Sequence, residues 1–327
     1  MTDQEWQGVK WADMVARQEK IPTMDKPLLI TCCPVGALFA RKHNPHLPLS
    51  PKEIAAEAID AYNEGAALIH IHNRNELGFH TSTVELMKET VDRIIEKCPD
   101  VIIQPSSCEG YADGETQYTY ETVKPMVDAL HAISKNHMES TIFTPVSYCL
   151  ENVNPEEEPE LTLATEANAV ATVKYLQEND VKPEFMNHNW EGVQNVEEWL
   201  IKPGILQKPY LMSMGPGMHN TAPVTKDPWG HQYILGMMNI MPEGSVIGLS
   251  AGGRNWLSLT VFAILMGVDS IRVGMEDQLW VYPHRDEIIK SNGEVTRKIA
   301  TIAKELGREP ATPAQAREIL GIARKMT

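Results

Sequence analysis

Short apolar runs rich in β-branched residues recur along this chain, separated by longer stretches in which apolar positions repeat at helical spacing. The runs predict strands over residues 28–32, 67–72, 101–106, 140–144, 184–187, 210–214, 246–250 and 270–274. Strand-like and helix-like segments alternate throughout, which makes a parallel sheet with helical crossovers. No linker rich in Gly, Pro or Ser divides the units, so the pattern favours an α/β fold with a single closed (β/α)8 barrel over residues 27–327. Ser50-Pro51-Lys52-Glu53 is a capping box with proline at the first helical position, and Gly65 stops the helix it opens. Residues 1–26 form an N-terminal extension. Trp6, Val9, Met14 and Val15 give its residues 6–20 a weak helical period, closed by Pro22 and Pro27, and predict an extra helix packed outside the barrel. The fourth strand is the least defined, because the acidic, proline-punctuated stretch 151–160 blurs its end; that stretch reads as a solvated excursion.

The length of 327 residues suits one such barrel. Twenty-nine basic against 44 acidic residues leave a net charge of −15, which argues against nucleic acid or a membrane surface as partner. An anionic ligand needs local cationic help. The five cysteines are odd in number, and Cys32 and Cys33 are adjacent inside a strand, so no secreted disulfide framework is indicated and a reducing cytoplasm fits better. The polar N-terminus has no signal core and no apolar run reaches membrane-spanning length, so the expectation is a soluble, unprocessed protein.

In a barrel of this kind the chemistry sits at the C-terminal ends of the strands. His70 and His72 end the second strand, two residues apart and therefore on one face. Two core histidines with satisfied nitrogens would leave the same trace. A carboxylate shifts that balance, and Glu276 supplies it at the end of the last strand. Closure places strands eight and two on either side of strand one, roughly 10 Å apart. Arg272, Gly274 and Glu276 share a face, the glycine leaving room at the axis. Two imidazoles and a carboxylate form a catalytic zinc set with a position open for water or substrate, although Fe(II) or Mn(II) suits the same ligands. The same rim carries Ser106 and Ser107, Gly215 and Gly217, Gly252-Gly253-Arg254 and Asp277, while Ser140 opens strand four. Arg272 and Asp277 read either as a buried ion pair or as a base and its positioning cation beside a polarised carbonyl.

The residues from Leu28 to Leu320 resemble the β-keto acid cleavage enzymes. The resemblance is carried by Ile30-Thr31-Cys32 with Gly36-Ala37, by Gly65-Ala66 followed by His70-Ile71-His72-Asn73-Arg74, and by Ile102-Ile103-Gln104-Pro105-Ser106. Gly253-Arg254, the run Arg272-Val273-Gly274-Met275-Glu276-Asp277 and the tail from Ala311 to Leu320 complete it. It implies a zinc-dependent (β/α)8 barrel, typically tetrameric, with His70, His72 and Glu276 as metal ligands. Ser106, Arg272 and Asp277 take the catalytic positions, with Ser107 a neighbouring alternative to Ser106. Ser140 falls on a further family hydroxyl. Arg74, Gly253 and Arg254 join the substrate-binding candidates, Arg254 through an anionic group. The implied reaction condenses a β-keto acid with acetyl-CoA, moves CoA onto the new acyl group and releases acetoacetate. The family often has Arg-Asp after the second histidine and Glu-Asp-Asn after strand eight; here stand Arg74-Asn75 and Glu276-Asp277-Gln278, and neither change removes a ligand.

Specificity rests on the loop after strand one. In the aminohexanoate-cleaving member a glutamate following the Gly-Ala pair holds the substrate's ammonium group, whereas Gly36-Ala37 is followed here by Leu38. An ammonium set against leucine would lose its hydration without a partner, so a neutral acyl tail is expected. Two other readings compete. A metal-dependent hydrolase of the amidohydrolase type would want its His-x-His on the first strand and further histidines on strands five and six, where only His188 lies near. A noncatalytic metal-dependent binding protein would have no use for the intact Ser106, Arg272 and Asp277.

Overall fold

The structure is a computed structural model that describes residues 10–107, 119–150, 156, 160–217 and 229–323. Eight parallel strands build the sheet: β1 (Leu29–Cys32), β2 (Leu68–Ile71), β3 (Ile102–Pro105), β4 (Ser140–Phe143), β5 (Lys182–Asn187), β6 (Tyr210–Met214), β7 (Ser245–Ser250) and β8 (Ser270–Val273). Their order is β3-β2-β1-β8-β7-β6-β5-β4. The Glu139 amide donates to the Ile103 carbonyl at 3.0 Å and joins the two outer strands, so the sheet comes round on itself as a (β/α)8 barrel. Every predicted strand is present, with ends that differ by no more than two residues.

Crossover helices cover the outside of the barrel. The first, α2 (Pro51–Asn63), begins at the expected capping box: the Glu53 amide donates to Ser50 Oγ at 3.3 Å and the Ser50 amide to Glu53 Oε2 at 2.9 Å. The next, α3 (Val84–Lys97), buries Met87, Val91 and Ile94, one apolar stripe at helical spacing, against β-branched side chains of the strands. Each such aliphatic side chain contributes roughly 1.5–3 kcal/mol when withdrawn from water. A smaller core closes the floor. Leu29, Leu68, Ile102 and Leu211 point inward and meet Ala311, Ala316 and Leu320 of the C-terminal segment, whose helix Pro313–Leu320 lies across the N-terminal ends of the strands. Arg317 pins it there, donating to both carboxylate oxygens of buried Glu139 at 2.8 and 2.6 Å. The open mouth is therefore at the C-terminal ends of the strands.

Two expectations change. The helix α1 spans only Lys10–Ala16 among the described residues, and none of its residues is buried: Trp11 is 70% exposed, so this turn of helix is not packed on the barrel. Residues 6–9 of the predicted helix lie outside the described residues. The acidic excursion ends in structure, because Glu160–Thr162 pairs antiparallel with Tyr148–Leu150 in a small hairpin above β4. The rest of the stretch, Glu156 apart, lies outside the described residues. No described helix is long and apolar enough to cross a membrane.

Candidate active site

His70 lies within β2 and His72 follows its last residue, so the pleat carries both imidazoles to one side and sets their rings 4.8 Å apart. The carboxylate arrives from β8 by a device in the backbone. Gly274 has φ +138, and a Cβ there would lie 2.1 Å from the Cys33 carbonyl oxygen, so only glycine lets the end of β8 press against the end of β1. The Glu276 amide then donates to that same carbonyl at 3.3 Å. This differs from the sequence reading, in which Gly274 clears space at the barrel axis. Gly36, on the loop after β1, makes the second close approach: a Cβ there would sit 2.1 Å from Glu276 Cγ.

The ligand atoms of His70, His72 and Glu276 all lie within 4.8 Å of one another. His70 Nε2 is 3.7 Å from Glu276 Oε2, and His72 Nε2 is 3.5 Å from Glu276 Oε1. These separations are too long for hydrogen bonds, and Glu276 Oε2 and both nitrogens of His70 have no partner although all are buried. Three metal bonds of about 2.0–2.1 Å put tetrahedral ligands roughly 3.4 Å apart, so the residues fit a small divalent ion. Burial holds His70 well below the usual histidine range against the pull of Glu276, with Arg272 and His72 adding to the lowering. It is a neutral imidazole, the form that ligates metal. Burial would raise Glu276, but Arg272 and the two histidines outweigh it and hold the carboxyl well below its ordinary value.

Arg272 joins this triad to Asp277. Its Nε donates to Asp277 Oδ2 at 2.8 Å and its Nη2 to Oδ1 at 2.9 Å, while Nη2 also contacts Glu276 Oε1. All three side chains are largely withdrawn from water. Burial works against the guanidinium charge, yet Asp277, Cys33 and Glu276 around it raise Arg272 well above its ordinary value. Asp277 is pushed up to about 6 by burial and by Glu276, despite Arg272 and the Ser250 hydroxyl, which donates to Oδ2 at 3.2 Å.

The other expected residues take varied positions. Ser106 is buried at the end of β3 and its hydroxyl has no partner. Ser107 instead pairs its hydroxyl with Thr141 Oγ1 at 3.2 Å. Ser140 lies at the first residue of β4, away from the rim; it accepts from Gln104 Nε2 at 2.8 Å and donates to the Lys182 carbonyl at 2.8 Å. The Arg74 guanidinium donates to the carbonyls of Gly36, Gly78 and Phe39 at 2.7, 2.8 and 2.9 Å, which makes it a clamp on the loop after β1. Leu38, on that loop, is half exposed. Gly253 sits at φ +72 and donates its amide to the Asp277 carbonyl at 3.3 Å, and the neighbouring glycine turns meet where the Gly252 amide donates to the Pro216 carbonyl at 2.8 Å. Arg254 donates to Arg285 O and Asp286 Oδ1 and lies 4.0 Å over the ring of Trp280.

One group went unread. Gln104 Nε2 donates at 2.8 Å to Glu184 Oε2 as well as to Ser140, and Ser213 donates to Glu184 Oε1. Glu184 only accepts, so it fixes which way the Gln104 amide points. That leaves Gln104 Oε1 without a partner, on the residue paired in register with His70, whose Nδ1 also lacks one. The available signal was a pair of polar residues at inward positions of otherwise apolar strands. His188 follows the last residue of β5, three strands from both β2 and β8, so it lies across the mouth from the triad and cannot extend it as the hydrolase reading requires.

The chain is similar to known proteins over most of its length. The chain is 33% identical over 301 residues to a 3-keto-5-aminohexanoate cleavage enzyme of Fusobacterium nucleatum subsp. nucleatum, covering 91% of this chain and 99% of that protein. It is 35% identical to the protein of the same name from Acetoanaerobium sticklandii, with the same coverage. A 3,5-dioxohexanoate:acetyl-CoA acetone transferase of Paraburkholderia graminis is 26% identical over 304 residues, covering 90% of this chain and 96% of that one. Among solved structures, the apo form of ObcA superposes with a TM-score of 0.67 at 17% identity, over 86% of this chain and 66% of that one, and shares the fold. A family model described as beta-keto acid cleavage enzyme matches residues 27–322, and the chain belongs to that family.

Proposed function

We propose that this protein converts a β-keto acid and acetyl-CoA into acetoacetate and a new acyl-CoA, with a divalent ion, zinc by its ligand set, held by His70, His72 and Glu276. The observation that carries this reading is the convergence of those three residues with the Arg272–Asp277 pair at one rim of the barrel. When bound, the metal polarises the keto acid's oxygens and makes its α-proton more acidic. Asp277 takes that proton, held in place by Arg272 and Ser250, with Ser106 positioned to guide the exchange. The α-carbon attacks the acetyl carbonyl and forms a new carbon–carbon bond; CoA sulfur moves to the original acyl carbon, whose bond to the α-carbon then breaks. Acetoacetate leaves with the α-carbon, and the proton returns from Asp277. No redox partner is required.

Leu38 sets the tail. An alkyl group against it gains roughly 1–2 kcal/mol by burial, whereas an unpaired ammonium loses its hydration, so the favoured substrate carries a neutral tail. The assembly implied by the family resemblance is a homotetramer. The helices Trp229–Ile240 and Trp256–Leu265 suit such contacts, since neither carries Asp, Glu, Lys or Arg while Trp229, Leu235, Ile240 and Leu265 are exposed. The test is to incubate metal-loaded protein with acetyl-CoA and β-keto acids with alkyl or 5-amino tails, and to assay acetoacetate. Turnover with a preference for the alkyl tail is expected, and Leu38→Glu should shift the ratio toward the amine. No acetoacetate from any acid would refute the reaction, and a preference for the amine would refute the tail assignment.

A further inference from the structure

A chain with a net charge of −15 repels a CoA thioester, whose nucleotide end carries a 3′-phosphate and a 5′-diphosphate, unless cations gather locally at the mouth. They gather just beyond the site. Four residues past Glu276, the chain folds into a hairpin: the Ile289 amide donates to the Leu279 carbonyl at 3.0 Å, and the Val281 amide to the Glu287 carbonyl at 2.9 Å. The hairpin is fastened on both sides. Gln278 Nε2 donates to the Ala251 carbonyl at 2.7 Å, Trp256 Nε1 to the Trp280 carbonyl at 2.7 Å, and Arg254 spans Arg285 O and Asp286 while stacking on Trp280. The loops after β7 and β8 therefore form one platform.

On this platform Arg285 lies 5.1 Å and Lys298 4.1 Å from the ring centre of Tyr282, and the His284 ring is 5.9 Å from it. Several of the chain's cations pair with carboxylates, as in Lys88–Asp92, Arg93–Glu89, Lys124–Asp128 and Arg297–Glu64. Among the described residues, Arg285 and Lys298 have no carboxylate partner and lie over the Tyr282 ring instead. The Glu294 carboxylate one turn before Lys298 accepts the Lys290 amide instead, and Asp286 is engaged by Arg254, which leaves Glu287 as the other carboxylate of the hairpin. Cations held over an aromatic face and free of carboxylates suit a ligand that offers phosphates and a purine together.

We propose that the hairpin of Trp280, Tyr282, His284 and Arg285, with Lys298 beside it, binds the 3′-phosphoadenosine diphosphate end of the CoA thioester. This rests on the acyl-CoA reaction proposed above. The pantetheine arm would run from this platform over Gly253 toward the rim that carries Asp277. The experiment uses the full-length, metal-loaded protein and two probes. Adenosine 3′,5′-bisphosphate should bind in calorimetry, more weakly as salt is raised, and Arg285→Glu and Lys298→Glu should each weaken it on the order of tenfold. In turnover, the ratio of kcat/KM for acetyl-CoA to that for S-acetylpantetheine, which lacks the nucleotide, should fall by a similar factor in both variants. Wild-type protein that turns over acetyl-CoA but fails to bind the bisphosphate would overturn the hairpin assignment alone, as would an unchanged ratio in the variants. Bisphosphate binding without turnover of either thioester would uphold the nucleotide site and overturn the reaction.

Discussion

Replacing Gly36 by alanine should cost the protein its metal and spare its fold. The added methyl would lie 2.1 Å from Glu276 Cγ and 2.8 Å from Cδ. An ordinary carbon–carbon contact is roughly 3.5 Å, so one side must retreat by more than an ångström. The loop cannot easily yield, because the Gly36 carbonyl is itself held by Arg74 Nε at 2.7 Å and the Phe39 carbonyl by Nη2 at 2.9 Å. Glu276 must therefore swing, and metal bonds tolerate only about 0.2 Å of displacement. Gly36 is not in the left-handed region, so alanine adds no backbone strain, and the overpacking should cost on the order of 1–3 kcal/mol of stability. Metal affinity should fall at least about 100-fold, beyond what loss of an outer-shell partner costs. Competition against a chromophoric chelator gives the affinity, and a thermal melt of the metal-free protein gives the fold. Wild-type affinity in Gly36→Ala would mean that Glu276 is not a ligand in this geometry.

Three further outcomes follow from the same distances. Gln104→Leu removes the acceptor set beside His70 Nδ1 and should lower metal affinity roughly 10–100-fold with unchanged stoichiometry; an unchanged affinity would reduce Gln104 to core packing. Asp277→Asn should keep the metal and lose entry of solvent deuterium at the α-carbon of a bound β-keto acid, since the amide cannot take a proton; exchange at the wild-type rate would place the base elsewhere. Glu53 is lowered to about 2 by the Ser50 amide, with the Leu49 amide and Arg41 assisting against partial burial, so its contribution is present above pH 4.5 and is lost as pH falls toward 2. Glu53→Gln should therefore cost about 0.5–1 kcal/mol in urea melts at pH 7, allowing for the exposure of the side chain, and the gap should narrow below pH 4.5; a constant gap would assign the loss to packing.

The fold was legible because its strands are short runs rich in buried apolar residues, as at 28–32 and 210–214, alternating with helix-like segments. The extension was not. The apolar residues of α1 have the spacing of a packed helix, but spacing does not say whether a surface is within reach, and Trp11 and Met14 remain exposed. Strand ends were harder than strands, because His72 keeps the side-chain direction of β2 after its ladder has ended.

The convergence of His70, His72 and Glu276 and the ion pair beside them were legible for a different reason. Histidine and carboxylate at strand ends have few structural uses, while glycine and arginine have many, and only coordinates separate them. Gly274 was read as making space at the axis, yet it serves the meeting of two backbones. Arg74 carries the charge of a substrate clamp but spends its donors on three backbone carbonyls. Its position is the informative part. It follows His72 by two residues, so the segment that supplies two of the proposed ligands also ties down the loop that carries Leu38 and presses Gly36 against Glu276. On the proposed function, metal geometry and tail specificity then share one support. A substitution at Arg74 should disturb both together, whereas Leu38 can change the tail pocket and leave the ligands in place.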